Sequence, residues 1–385
     1  MVTVLLRVVE KEPGMKKIAI VLNSAWQAYN FRLNLANYLR HAGYKVIIVA
    51  PNDEHYSHFI KKEFDFVDIK LQADSVNPIQ DIKLLYSLFR LYRRIRPDVV
   101  LNFTIKPNIY SALAARLLGI HSINNVTGLG TVFIKKNFLT QIVKTLYRLS
   151  LFCASKVFFQ NKDDLDLFIE KNLVSRDKCT ILPGSGVDTN KFSPTVSRQR
   201  SIFRFLMVAR LLRDKGIYEY VEAAKLLKDQ GVEFWVLGES YSANKTALSK
   251  DEITKLSKQG VITYFDRTDD VKSFLDRVDC VVLPSYREGS PRSIMEASAV
   301  ALPVIVSDVP GCRQVVDNGI TGLFCKVKDG SDLAKKMEIM IKMPENERKK
   351  MGQMGRQKML DQYDEMIVLE YYIQTIADLF NYRNP

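Results

Sequence analysis

Short apolar runs rich in Ile and Val alternate along this chain with longer stretches whose apolar positions recur at helical spacing. Ile18 to Leu22, Val46 to Val49, Val99 to Phe103 and Val157 to Phe159 have the length and β-branched content of buried strands. Between them, Asn30 to His41 and Lys83 to Arg96 gather apolar residues on one face and charges on the other. That alternation predicts a parallel sheet covered by helices. It stops at KFSPTVSRQRSIF, around Pro194, which has the composition of a linker. It restarts with Phe205 to Val208, Phe234 to Leu237, Ile262 to Tyr264, Cys280 to Leu283 and Val304 to Val306. The expected organisation is two consecutive doubly wound α/β domains, residues 15–195 and 199–362. A helical segment, residues 363–385, is expected to pack back on the first domain, and residues 1–14 read as a loose extension. A length of 385 residues suits two domains of ~150 to 200 residues. Two such domains facing each other form a cleft at the carboxyl ends of their strands, where these sheets bind ligands.

Residues 287–297, REGSPRSIMEA, hold the densest candidate chemistry. Glu288 and Glu296 stand eight apart across a Gly-Ser-Pro, which is not the spacing of a surface ion-pair pattern. The strand Cys280 to Leu283 precedes them, and Pro291 stands where the first turn of a helix tolerates proline. Ser290, Arg292 and Ser293 then form a helix N-terminus whose bare N–H groups suit a diphosphate, and Gly289 permits close approach. Glu288 lies before that terminus and Glu296 about a turn and a half inside it. Placed there, the two carboxylates can accept hydrogen bonds from hydroxyls on either side of the diphosphate, as a nucleotide sugar offers. A capping acid plus a solvated helix Glu explains the spacing equally well by itself. Arg210 and Lys215, in the loop after Phe205 to Val208, tip the balance, since two cations at a strand's carboxyl end suit a diphosphate leaving group.

Charge adds an asymmetry. Residues 1–196 carry 27 Lys and Arg against 16 Asp and Glu, a balance of +11 out of the chain's +13. The excess points the first half towards an anionic membrane surface, nucleic acid or an acidic ligand. Lys83 to Arg96 places Leu84, Leu88, Leu91 and Ile95 on one stripe among arginines, which any helix against a sheet would do. Lys135 to Arg148 sets Phe138, Leu139, Ile142 and Leu146 against Lys135, Lys136, Lys144 and Arg148, a pattern that favours membrane contact. Nucleic-acid binding would call for exposed aromatics interleaved with the basic residues, and no such motif is present. Five scattered cysteines give neither a disulfide framework nor a zinc site, so a reducing cytoplasm is expected. His55-x-x-His58 reads as a solvated loop, Asp164-x-Asp166 as helix surface, and no metal site is expected. No run is long enough to span a bilayer.

The ordered segments VARLLRDKGI, FWVLGES, TDDV, VVLPSYREGSPRSIMEASAVALPVI and DVPGCRQVVDNGITGLF resemble the C-terminal domain of retaining glycosyltransferases of family 4, which have the GT-B fold. YNFR at 29–32, TIKPNIYSALAARLLGI at 104–120 and NNVTGLGTVF at 124–133 resemble the branch of that family that builds capsules and lipid-linked oligosaccharides. The resemblance implies roles for the residues that match. Glu288 would touch sugar hydroxyls and Glu296 the ribose. Arg210 and Lys215 would hold the diphosphate with the backbone of Gly289 to Ser293, and Gly238 and Arg267 would wall the nucleotide pocket. Thr127, Gly128, Gly130, Arg32 and Lys106 would lie on the acceptor side. It implies a UDP-sugar donor carrying an N-acetylhexosamine or hexose, a polyprenyl-diphosphate-linked acceptor, no metal or other cofactor, and a cytoplasmic enzyme on the inner membrane face. An epimerase or phosphorylase of the same fold is the alternative. This chain departs from the family's pattern at three places: NSAWQAYNFR lacks a Gly pair, Val126-Thr127 replaces a His, and Asp266 replaces a Gly.

Overall fold

The structure is a computed structural model that describes residues 14–72, 77–128, 138–195, 201–239 and 247–381. They form two compact units, one containing the residues up to Leu182 and those from Leu369 onward, the other Pro183–Val368.

The first unit is built on parallel strands β1 (Lys17–Val21), β2 (Lys45–Ala50), β3 (Asp65–Asp68), β4 (Val99–Phe103), β5 (His121–Val126), β6 (Lys156–Phe159) and β7 (Cys179–Ile181). Their order is β3-β2-β1-β4-β5-β6-β7, so the winding reverses between β1 and β4, where Val21 registers with Asn102. At such a reversal the connecting loops diverge and leave a crevice at the carboxyl ends. The flanking helices obey the apolar pattern. In the helix Pro78–Ile95, Leu84, Leu88 and Leu91 are buried against the sheet, the side chain of Asn77 caps its start by accepting from Ile79 N at 3.0 Å, and Arg96 ends it in a left-handed turn. The basic stripe of that helix therefore faces outward while its leucines serve the core.

The second unit repeats the plan with β8 (Phe203–Val208), β9 (Val232–Leu237), β10 (Thr263–Phe265), β11 (Cys280–Leu283), β12 (Val304–Ser307) and β13 (Gly322–Cys325). The order is β10-β9-β8-β11-β12-β13, and here the reversal falls between β8 and β11.

Several expectations need adjustment. β3, β5, β7 and β13 have no counterpart among the apolar runs. The segment Pro183–Thr195, expected in the first domain, belongs to the second unit: Val187 N donates to Tyr363 O at 2.9 Å and Phe192 is buried in that unit's core. The helical segment expected at 363–385 begins at Glu365 and is described to Asn381. A helix Glu345–Lys358 runs through a π-helical turn, Met359–Tyr363, and Asp364 turns extended before a new helix, Glu365–Asn381. Asp164 is buried rather than on the surface: its N–H donates to Oδ1 of Asn161, the N-cap of the helix Lys162–Glu170, at 2.7 Å, and its Oδ2 accepts from Asn161 Nδ2 at 3.0 Å. His58 lies in a helix, Tyr56–Glu63, and not in a loop. Residues 1–13, Gly130, Lys135 and Lys136 lie outside the described residues.

Candidate functional site

In the second unit the loops leaving β8 and β11 are joined at the reversal. Asp214 O accepts from Tyr286 N at 2.8 Å and from Ser285 Oγ at 3.1 Å, and the Tyr286 hydroxyl donates to Glu219 at 2.6 Å. Gly216 makes the junction possible. Its φ is 79°, and a Cβ there would stand 2.1 Å from Pro284 O, so any side chain would force the loops apart. Lys215, the residue before it, donates from Nζ to Glu288 Oε1 at 2.6 Å. Both side chains are four-fifths buried or more, so the pair feels less solvent screening than a surface ion pair. Arg210, at the carboxyl end of the same strand, is exposed.

The chain from Glu288 leads into the helix Arg292–Ala299, with Pro291 as its N-cap rather than within its first turn. Pro291 has no side-chain capping bond, and Ile294 and Met295 N both donate to Pro291 O at 3.1 Å. Glu296 is almost fully buried and accepts from Arg292 Nε at 2.8 Å. Burial pushes its carboxyl up from the usual range, more than the nearby Arg292 and Lys191 pull it down. A buried carboxylate with one partner retains acceptor capacity for ligand hydroxyls.

Two glycines close the walls. At Gly238, φ 153°, a Cβ would meet Ala209 O at 1.9 Å, so the loop after β9 can lie against the loop after β8. Arg267 is exposed and pairs with Glu239 of that loop at 3.4 Å. Gly311 has φ 80°, and a Cβ there would come within 2.6 Å of both Glu288 O and Gly289 O. A Cβ at Gly184 would likewise stand 2.5 Å from Ser290 Oγ, and Lys191 contributes to the field at Glu296. These supports belong to loops far apart in sequence, and only the GCRQ of the family-like segment hinted at Gly311. The structure thus brings Lys215, Glu288, Gly289 and Ser290 together, sets Arg292, Ser293 and Glu296 on the adjoining helix, and places Gly238 on the neighbouring loop.

In the first unit, the expected acceptor-side residues also gather at the carboxyl ends of strands. Thr127 and Gly128, φ 140°, follow β5. Arg32 is buried with its guanidinium 4.2 Å over the Phe103 ring at the end of β4. Lys106 is held by Asp81 at 2.7 Å. Two residues at the β1/β4 reversal went unnoticed in the sequence. Asn23 Oδ1 and Thr104 Oγ1 are buried without a hydrogen-bond partner, and Thr104 has φ 72° although it is β-branched. Orphaned polar atoms and a left-handed threonine both cost free energy, so this reversal is a strained and undersatisfied part of the first unit.

Among the described residues no group of three or more His, Cys, Asp or Glu could hold a metal ion, and no helix is long and apolar enough to cross a membrane.

Comparison with known proteins agrees with the geometry. The family model "Glycosyl transferases group 1" matches residues 191–358, and "Glycosyl transferase 4-like" matches residues 17–161. The chain is similar to the N,N'-diacetylbacillosaminyl-diphospho-undecaprenol alpha-1,3-N-acetylgalactosaminyltransferase of Campylobacter jejuni, 26% identical over 93% of this chain and 97% of that protein. It is also similar to the UDP-Gal:alpha-D-GlcNAc-diphosphoundecaprenol alpha-1,3-galactosyltransferase of Escherichia coli, 27% identical over 73% of this chain and 79% of that protein. Among solved structures, HepE of Anabaena in complex with UDP and glucose superposes with a TM-score of 0.77 at 15% identity, covering 94% of this chain and 100% of that one. With one model on each sheet and the same fold in its structural neighbours, the chain belongs to the family 4 glycosyltransferases of GT-B fold, in which the group 1 domain is the second unit.

Proposed function

We propose that this glycosyltransferase moves an N-acetylhexosamine or hexose from a UDP-sugar to a polyprenyl-diphosphate-linked acceptor during assembly of a surface glycan, with retention and without a divalent metal. The observation that carries the reading is the Lys215–Glu288 pair at the β8/β11 reversal, beside a helix start with no side-chain cap. In this reading Lys215 and Arg210 take the negative charge that builds on the diphosphate as the glycosidic bond breaks, with the N–H groups of residues 289–293 adding fixed dipoles. Glu288 holds Lys215 in place and accepts from a sugar hydroxyl, Glu296 accepts from the ribose, and Gly238 and Arg267 border the base. The acceptor hydroxyl attacks from the face that the leaving group departs, which preserves the anomeric configuration. Retention is supported by the alpha-1,3 linkages that both bacterial relatives form by name. The UDP donor is supported by the galactosyltransferase name and by the UDP complex of the structural neighbour.

The acceptor would lie on the first unit, near Asn23, Thr104, Thr127, Gly128, Arg32 and Lys106. Its lipid tail places the enzyme peripherally on the inner face of the membrane. In the helix Phe138–Cys153, Tyr147 and Leu151 are buried while Ile142, Leu149 and Phe152 are exposed. Those exposed positions are seven and three apart, hence on one side of the helix, and Lys178 lies 5.4 Å from the Phe152 ring. A basic, aromatic-tipped apolar face of this kind suits an anionic lipid surface.

Thermal shift against UDP, GDP and ADP with EDTA present tests the donor. Stabilisation by UDP alone, by about 3 kcal/mol at a hundredfold excess over its Kd, is the expected result. No response to any nucleotide, or one that EDTA abolishes, would overturn the UDP or the metal-free assignment respectively.

A further inference from the structure

The first unit contains a pocket of about 650 Å³ in whose wall Lys106 is the one residue already given a role above. That volume lies within the ~300 to 1,000 Å³ typical of small-molecule sites. It opens at the carboxyl ends of β2 and β3 and against the first turns of the helix Pro78–Ile95, with Asn52, Gln72, Gln80, Asp81, Tyr86 and Lys106 in its wall. At its inner side Asp81 is fixed from two directions: Lys106 Nζ donates to Oδ1 at 2.7 Å and the Tyr110 hydroxyl to Oδ2 at 2.9 Å. The side chains of Lys106 and Asp81 are only 11% and 16% exposed. A largely buried ion pair adds little net stability once desolvation is counted, so stability alone does not account for it. What the arrangement supplies is a carboxylate locked in orientation with acceptor positions left over, since an ionised carboxylate can take about four hydrogen bonds.

The composition of the wall selects a ligand class. Lys106 is matched by Asp81, and Lys70, Lys83 and Asp68 complete the charged lining, three cations against two carboxylates, so the wall is close to neutral and gives a charged ligand little preference. Amide, carboxylate and ammonium groups side by side are complemented by neighbouring hydroxyls, each of which both donates and accepts. Tyr86, 61% exposed, offers an aromatic ring on the rim for the apolar face of a sugar. From these we infer that the pocket is a subsite for a neutral pyranose of the acceptor glycan, remote from the transferred sugar, with Asp81 and Lys106 as hydroxyl-binding groups and Tyr86 as its stacking platform. The inference rests on the acceptor assignment of the first unit. It makes this pocket a determinant of which glycan the enzyme extends.

Saturation-transfer NMR on the full chain tests it, with methyl glycosides of glucose, galactose, N-acetylglucosamine and N-acetylgalactosamine as probes and saturating UDP present to occupy the donor site. At least one glycoside should receive saturation from the wild type. Tyr86→Ala should weaken that glycoside roughly three- to tenfold and Asp81→Asn at least as much. Both variants should keep the UDP-induced thermal shift. Tyr86 is exposed, so its variant stands as the test even where loss of the Asp81 pair unfolds the unit. Equal signals from wild type and both variants would overturn the inference, as would the absence of any glycoside signal from a wild type that binds UDP. Glycoside binding that the variants abolish in a protein with no UDP response would leave the pocket standing and sink the donor assignment instead.

Discussion

Burial disfavours the charged form of Glu296, and the consequence can be measured without a substrate. Its carboxyl is raised above the ordinary 4.5 by desolvation, against the pull of Arg292 and Lys191. A raised carboxyl contributes its stability in full below the unfolded-state value, and that contribution is lost as pH rises through the folded-state one. Glu296→Gln should therefore gain Tm relative to the wild type between pH 4 and pH 7.5; a difference that shrinks over this range would show that the Arg292 pair dominates instead. The same substitution should weaken UDP by about ten- to a hundredfold, because ribose hydroxyls lose charge-assisted bonds. Glu288→Ala should act differently, lowering kcat while leaving UDP affinity within a few-fold, since its partner Lys215 loses orientation rather than charge. Negligible effects from both would confine the two acids to the structural pairs they make with Lys215 and Arg292. These acids and cations were legible in the sequence because each sits in one continuous strand-loop-helix segment. Gly184 and Gly311 were not, because their purpose is to let distant loops touch Ser290, Glu288 and Gly289. Asp214 acts through its carbonyl, which no side-chain pattern reports.

Among the elements, β5 shows where apolar patterning stops being informative. Its sequence, HSINNV, sets two asparagines in a buried strand, and all but the first of its residues are buried. They are tolerated because a network satisfies them. Asn102 Nδ2 donates to Asn124 Oδ1 at 2.8 Å, Asn124 Nδ2 to Asn108 O at 2.9 Å, Asn108 Nδ2 to Asn125 O at 2.7 Å and Asn125 Nδ2 to Asn102 O at 3.0 Å. The helix Glu365–Asn381 completes it: the Tyr372 hydroxyl donates to Asn125 Oδ1, and its ring lies edge-on to Phe158 at 5.2 Å. Burial lifts the Tyr372 phenol to about 12, so it remains a donor throughout the neutral range. Tyr372→Phe removes one bond and leaves a buried amide oxygen short of a donor, for an expected loss of about 1 to 3 kcal/mol in urea unfolding. A change below half a kilocalorie would mean that water replaces the phenol. The other missed strands are short or carry charge: β3 reads DFVD and β13 opens with glycine. By contrast β1, β2, β4, β8, β9, β11 and β12 were visible because strands buried on both faces must be nearly all apolar.

For the molecule as a whole, the useful quantity is how charge divides along the chain. The +11 of residues 1–196 lies mostly in the unit assigned the acceptor, while the rest of the chain carries +2. A uniformly basic protein would be drawn to any polyanion; a one-sided one is drawn with a preferred face. In the proposed membrane contact, the exposed Ile142, Leu149 and Phe152 would supply the second, short-range component on that same unit. The two components respond to different perturbations, so vesicle co-sedimentation can separate them. Binding to vesicles containing anionic lipid should fall steeply between about 50 and 500 mM salt, because the Debye length contracts from about 13 to 4 Å over that range. Phe152→Ser with Leu149→Gln should lower binding at every salt concentration by removing buried apolar area, and should leave the salt slope unchanged. Both side chains are more than half exposed, so the fold should be unaffected, and a retained UDP thermal shift would confirm that. Binding that is salt-dependent but indifferent to the double substitution would assign the contact to another basic face, of which the arginines of the helix Pro78–Ile95 are the next to test. Loss of the slope itself in the double variant would mean that these apolar residues orient the charges as well as enter the lipid.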